Sequence, residues 1–213
     1  TSGSYGNPTT KEYIYIKAGP NKGNFHNTAS LRASNLGLTG KSGNTVEFWL
    51  KKPSHKSTAQ SEVIFDLWNG EESSSAGYGR MTIEYRTTGG LPKKRFTVTL
   101  FSGSVGFARQ EIGVAQSADI DEWTHYAISF QSESSGVRTR LYTNGKETSN
   151  DLLGSAGVGE IRKKINANIG ALIANPYGSV YHNATYPAKY LGWGRLSGSI
   201  DEFRFWKVRR TSD

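Results

Sequence analysis

No apolar pattern of helical period persists anywhere in the 213 residues. Short runs that alternate apolar and polar side chains recur instead, each broken by a cluster of glycine, serine, asparagine or proline. A period of two places alternate side chains on opposite sides of an extended chain, so each run reads as a half-buried strand. The runs are EYIYIK starting at Glu12, TVEFWLK at 45–51, VIFDL at 63–67, MTIEY at 81–85, RFTVTLF at 95–101, WTHYAISFQ at 123–131, VRTRLYT at 137–143, INANIG at 165–170 and SIDEFRFWK at 199–207. Such clusters lie, for example, at 70–79 and 132–136. Many short strands with polar breaks and no helical segment define an all-β chain, folded as a sandwich or a barrel.

The alternation also predicts which side chains face the core. In TVEFWLK, Val46, Phe48 and Leu50 share one face while Glu47 and Trp49 share the other. In the run at 123–131, Tyr126, Ile128 and Phe130 oppose His125, Ala127 and Ser129. Between Tyr142 and Lys146, Asn144-Gly145 supplies the residue pair that tolerates two positive φ angles, the mark of a type I′ hairpin.

Composition narrows the class further. Hydrophobic residues make up only 35% of the chain, aromatics 12%, and there are 25 glycines, a balance that favours strands and turns over helices. No window approaches the roughly 18 apolar residues that cross a bilayer, so a soluble chain without membrane insertion is expected. The absence of cysteine excludes disulfides, thiolate metal sites and a cysteine nucleophile, and leaves the compartment open. Residues 1–11 are polar and read as an N-terminal arm or linker. Residues 12–213 show neither a repeat nor a break in composition, so one domain is expected there.

The order of five motifs carries a resemblance. Thr45-Val-Glu-Phe-Trp49-Leu, Asp121-Glu-Trp123-Thr-His125-Tyr-Ala127-Ile, Arg140-Leu-Tyr142-Thr-Asn144-Gly145-Lys146, Asn168-Ile-Gly170 and Gly198-Ser-Ile200-Asp201-Glu202-Phe203-Arg204-Phe-Trp206 together resemble the laminin-G-like members of the concanavalin A-like lectin and glucanase superfamily. The resemblance spans roughly residues 30–210 and implies an antiparallel jelly-roll β-sandwich. The closing phrase, followed by a basic turn, is also similar to laminin-G-like modules of bacteriophage structural proteins. That similarity implies a virion or extracellular surface location, with neighbouring virion or surface subunits as partners. Animal members often carry a disulfide, so the lack of cysteine points toward a microbial or viral member.

Function on such a scaffold resides in its loops, here those at the rim of the sandwich. Glucanases of the superfamily carry Glu-x-Asp-x-x-Glu on one strand face, and neither Asp119-Ile-Asp121-Glu122 nor Asp201-Glu202 matches it. The family match instead places Asp119 and Asp121 on the turn entering the run at 123. His125 lies within a strand motif, where packing or a hydrogen bond is its expected role, and no nucleophile elbow or phosphate loop occurs. A non-enzyme is therefore expected. The resemblance leaves calcium open at the rim of the sandwich, with Asp66, Asn69 and Asp151 as candidate oxygen ligands.

One segment stands out from the strand pattern. Residues 175–193, NPYGSVYHNATYPAKYLGW, bring Tyr177, Tyr181, Tyr186, Tyr190 and Trp193 together with His182 and Asn183. Aromatic faces stack on sugar rings while amides and hydroxyls orient the sugar hydroxyls, so the segment is a candidate glycan platform. Tyrosine also serves subunit interfaces, which leaves an architectural role open beside the lectin-like one. The net charge of +8 is spread over Lys51-Lys52, Lys93-Lys94-Arg95, Arg162-Lys163-Lys164 and the stretch from Arg204 to Arg210. It suits an acidic surface polysaccharide or protein, whereas no nucleic-acid motif interleaves the basic runs and no nucleic-acid partner is expected.

Overall fold

The computed structural model describes residues 14–16, 43–53, 60–87, 96–113, 121–162, 165–173 and 194–211, and the statements below concern those residues. Eleven strands run along them: β1 (Ile14–Ile16), β2 (Asn44–Lys51), β3 (Gln60–Trp68), β4 (Gly79–Thr87), β5 (Phe96–Ser102), β6 (Val105–Ile112), β7 (Trp123–Glu133), β8 (Gly136–Thr143), β9 (Lys146–Leu153), β10 (Asn166–Ile169) and β11 (Ser199–Trp206). They form two antiparallel sheets. One has six strands in the order β1-β10-β3-β4-β5-β6 and the other five in the order β11-β2-β7-β8-β9.

Alternation is what joins the sheets into a sandwich. Val46, Phe48 and Leu50 of β2 and Tyr126, Ile128 and Phe130 of β7 point inward and are buried, as the period-two reading expects. They meet Phe65 and Leu67 of β3, Met81, Ile83 and Tyr85 of β4, and Phe96, Val98 and Leu100 of β5 in one hydrophobic cluster. Phe96 packs edge-on against both Phe48 and Tyr126, with ring centroids 6.1 and 5.0 Å apart, the edge-to-face geometry that the aromatic quadrupole favours. Burying a large apolar side chain contributes about 1.5–3 kcal/mol, so this layer is the main source of stability.

Eight of the nine expected runs appear as strands within a few residues of their predicted ends, and the ninth appears as the short β1. The break expected at 132–136 is tighter than predicted, because β7 continues to Glu133 and β8 starts at Gly136. The sequence reading missed β6 and β9. Both are edge strands, and an edge strand with a solvated side needs few apolar residues: β9 reads KETSNDLL and only its last residue is buried.

The outer side of the six-stranded sheet is polar and yet buried. Asp66, Arg80, Thr82, Glu84, Thr97, Thr99 and Asn168 are all hidden from solvent. Chain that follows β10 lies on this side: the Ile173 amide donates to Asp66 at 2.9 Å, Leu172 packs on Val63, and Val63 N donates to the Gly194 carbonyl.

Candidate functional site

The five-stranded sheet has a different outer side. On β2, the residues between the core positions are Thr45, Glu47, Trp49 and Lys51. The β2–β7 register sets Glu47 opposite Ala127, Trp49 opposite His125 and Lys51 opposite Trp123. The β11–β2 register sets Arg204 opposite Glu47 and Trp206 opposite Thr45, and β8 places Tyr142 opposite Ala127. A bulge between Asp201 and Arg204 shifts the alternation of β11, so that Phe203 and Phe205 pack on the core while Arg204 and Trp206 reach outward to Glu47. Three of the chain's five tryptophans thus lie on the solvent side of one sheet.

Glu47 is the centre of this surface. Its Oε2 accepts a hydrogen bond from Trp206 Nε1 at 2.8 Å, and Arg204 Nη1 reaches Oε1 at 3.3 Å. His125 Nε2 lies 3.1 Å from Oε1, and Arg210 Nη1 lies 4.0 Å from Oε2. Burial works to raise the Glu47 pKa, but the bonds from Trp206 and His125 and the charges of His125 and Arg204 outweigh it and hold the carboxyl below its ordinary 4.5. The group is a fixed anion and hydrogen-bond acceptor.

Local structure fixes the neighbours. His125 is clamped by the expected hairpin: Asn144 Oδ1 accepts from the His125 amide and the Asn144 amide donates to the His125 carbonyl, both at 2.9 Å. Asn144 and Gly145 carry the positive φ angles of 49° and 79° that a type I′ turn requires. The imidazole rests against Trp49, with ring centroids 5.2 Å apart. After β11 the chain returns across β2, where Thr45 Oγ1 donates to the Val208 carbonyl and accepts from the Arg210 amide, each at 2.9 Å. This strap seats the Arg210 guanidinium over Trp206, 4.5 Å from the ring centroid. Between strap, hairpin and sheet lies a depression of about 110 Å³ lined by Thr45, Glu47, His125, Ala127, Tyr142, Gly145, Arg210 and Thr211.

The residues singled out from sequence lie elsewhere. Tyr177, Tyr181, His182, Asn183, Tyr186, Tyr190 and Trp193 are outside the described residues; the residues that flank their segment, Ile173 and Gly194, are both bonded to β3 of the six-stranded sheet. Asp66 lies inside β3, fully buried, and accepts from Arg80 Nε and Nη2 at 3.0 and 2.7 Å, from Thr82 at 2.7 Å and from Ile173 N at 2.9 Å. These four donors fill its lone pairs and make it the counter-ion of Arg80. Asn69 organises the loop after β3: its amide donates to the carbonyls of Gly77 and Arg162, and its Oδ1 accepts from the amides of Glu71 and Gly79. Asp151 belongs to β9 of the other sheet and accepts from Ser149. The structure does not bring these three residues together, and no group of three or more His, Asp or Glu residues placed to hold a metal ion occurs among the described residues. Of the acidic turn, Asp119 is outside the described residues, and Asp121 sits at the entry to β7 with φ 64°, paired to Lys51 at 3.0 Å.

Sequence reasoning saw Glu47 and Trp49 on one face and His125 and Ala127 on another, but not that pairing would merge them. The available signal was the tryptophan on the non-core side of two alternating runs.

A family profile of laminin G type, described as the concanavalin A-like lectin/glucanases superfamily, matches residues 23–213. No curated protein matches the sequence. Among solved structures, similarity is found to the heptameric SAP-like pentraxin of Limulus polyphemus (TM-score 0.48, 14% identity, covering 84% of this chain and 70% of that one). It is also found to the binding domain of botulinum neurotoxin DC in complex with SialylT (0.47, 12%, 99% and 43%). A third is botulinum neurotoxin type C, whose cell entry depends on two ganglioside molecules (0.45, 11%, 99% and 43%). The chain spans under half of the two neurotoxin chains.

Proposed function

The chain belongs to the concanavalin A-like lectin/glucanases superfamily, and on that premise we propose that it is a non-enzymatic, lectin-like surface module that binds glycan on the outward face of its five-stranded sheet. The observation that carries this reading is the row of Trp123, Trp49 and Trp206, set opposite Lys51, on β2 itself and opposite Thr45, which runs past Glu47 on that face. Aromatic side chains on the solvent side contribute nothing to the sandwich core, and Trp123 is 45% exposed. Flat indole surfaces stack on the apolar faces of sugar rings, while guanidinium groups held beside them orient sugar oxygens. Positions 45 to 51 of β2, which the row follows, cover roughly 20 Å at strand rise, room for several rings.

Hydrolysis of a glycosidic bond calls for a carboxylic acid that keeps its proton and a second carboxylate beside it. The Glu47 pKa is displaced in the opposite direction, which favours binding over cleavage. The setting in a virion and a contribution from Tyr177 to Trp193 remain parts of the proposal that rest on sequence resemblance and residue type.

An oligosaccharide array tests the reading. Wild-type protein is expected to retain glycans, and Trp123→Ala and Trp49→Ala to lose them with the fold intact. If no glycan binds, and the same substitutions dissolve an oligomer, the surface is architectural and contacts neighbouring subunits.

A further inference from the structure

Resting on that glycan reading, we propose that the chain it binds is acidic: a carboxylate or sulfate borne on a sugar ring enters the depression beside Glu47 and is held by Arg210.

The depression contains one carboxylate, Glu47, and its oxygens already face Trp206, His125, Arg204 and Arg210. The Thr45 hydroxyl is likewise engaged, donating to Val208 and accepting from Arg210 N. The side-chain oxygens of Glu47 and Thr45 are therefore engaged within the protein. The donor side is richer. Arg210 shares Glu47 with Arg204 and His125, and at 4.0 Å it has the longest of those contacts. Its neighbour Arg209 bonds the neutral amide of Gln131 at 2.7 Å. Arg204 is also paired with Glu202 at 2.9 Å, so the charge least compensated beside Glu47 is that of Arg210, and a ligand group that brings only acceptors complements it.

Size points the same way. Pockets that enclose small ligands run to roughly 300 Å³ or more, whereas this one is about 110 Å³, room for a substituent and not for a whole ring. The ring itself then rests outside, on the indole surfaces. Arg210 sits at the meeting point, stacked on Trp206 with its side chain 49% exposed, and a guanidinium takes a carboxylate or sulfate through paired hydrogen bonds.

The test presents matched chains on one array at about 0.15 M salt, where exposed charges interact over only ~8 Å: hyaluronan (carboxylate only) with its methyl ester, and keratan sulfate (sulfate only) with its desulfated form. Wild-type protein is expected to retain the acidic member of at least one pair and release the neutral one, the pair retained identifying the anion. Arg210→Ala should weaken that binding about tenfold, the loss of one good charge-assisted contact. Arg162→Ala, which removes the same charge from an exposed residue outside the sheet, should change it less than about twofold. Neutral chains retained as firmly as acidic ones, with dependence on Trp49, would overturn the acidic assignment and leave the glycan reading standing. Equal losses in the two arginine variants would overturn it in favour of diffuse charge attraction. No retention of any sugar, with capture of poly-glutamate instead, would overturn both readings.

Discussion

Trp206 Nε1 donates to Glu47 Oε2 at 2.8 Å across 159 positions of sequence. The bond joins edge strand β11 to its neighbour β2 on the side away from the core, so it pins the strand that carries the C-terminal strap. Trp206→Phe keeps an aromatic face, though a smaller one, and removes the donor. A hydrogen bond to a charged group contributes about 1.5–3 kcal/mol, so the variant should lose roughly 2 kcal/mol in urea unfolding; an unchanged midpoint would show that the bond is not formed in solution.

Acid should weaken the protein partly through Glu47. Its folded pKa lies below the ordinary value, so between the two values the unfolded chain binds more protons and stability rises with pH. The contribution is complete above about pH 5 and disappears as pH falls through the lowered folded value. The stability advantage of wild type over Glu47→Gln should shrink across that interval. Glu84 has the opposite sign: burial raises its pKa against the pull of Arg109 and Thr97, so it costs stability as pH climbs above 4.5. Glu84→Gln should gain on wild type from pH 4 to pH 8, as read by paired denaturant titrations at each pH.

Asp66 and Arg80 form a buried pair with both side chains 0% exposed. Removing one partner strands the other charge, which costs about 3–5 kcal/mol. Asp66→Ala should show a loss of that size, the same with millimolar calcium as with a chelator. A loss that appeared only in calcium would assign Asp66 a metal-binding role instead.

Two glycines separate conformational cost from steric cost. A Cβ at Gly145 meets nothing within 4 Å, so Gly145→Ala pays only for its φ of 79°, about 1 kcal/mol. At Gly106 a Cβ would stand 2.1 Å from the Leu100 carbonyl oxygen. Gly106→Ala should therefore be the more damaging by melting temperature, and equal shifts would contradict the β5–β6 geometry.

The hairpin at Asn144-Gly145 and the inward faces of β2 and β7 were legible because each is set by neighbours in sequence: a turn dipeptide in one case, a period of two in the other. Edge strands β6 and β9 were not, since Arg109, Gln110 and Glu111 or Thr148, Ser149 and Asn150 satisfy a solvated edge while hiding the alternation. Asp66 read as a rim ligand because its partners Arg80, Thr82 and Ile173 lie 14, 16 and 107 residues away. The surface around Glu47 was half visible. Alternation placed Glu47 beside Trp49 and His125 beside Ala127, but only the β2–β7 and β11–β2 registers bring Trp206, Arg204 and Arg210 to the same carboxylate. Register and the bulge at β11 depend on long-range pairing, which local pattern does not encode.

On the proposed reading, glycan binds to the outward face of the five-stranded sheet. Titration calorimetry with the best array ligand addresses it, comparing wild type, Trp123→Ala and Tyr181→Ala, with melting checked for each. Loss of a stacking aromatic is expected to weaken binding about tenfold. That loss is expected for Trp123→Ala at an unchanged melting temperature. Wild-type affinity in Trp123→Ala, with binding abolished in Tyr181→Ala, would contradict it and move the site to the tyrosine-rich segment.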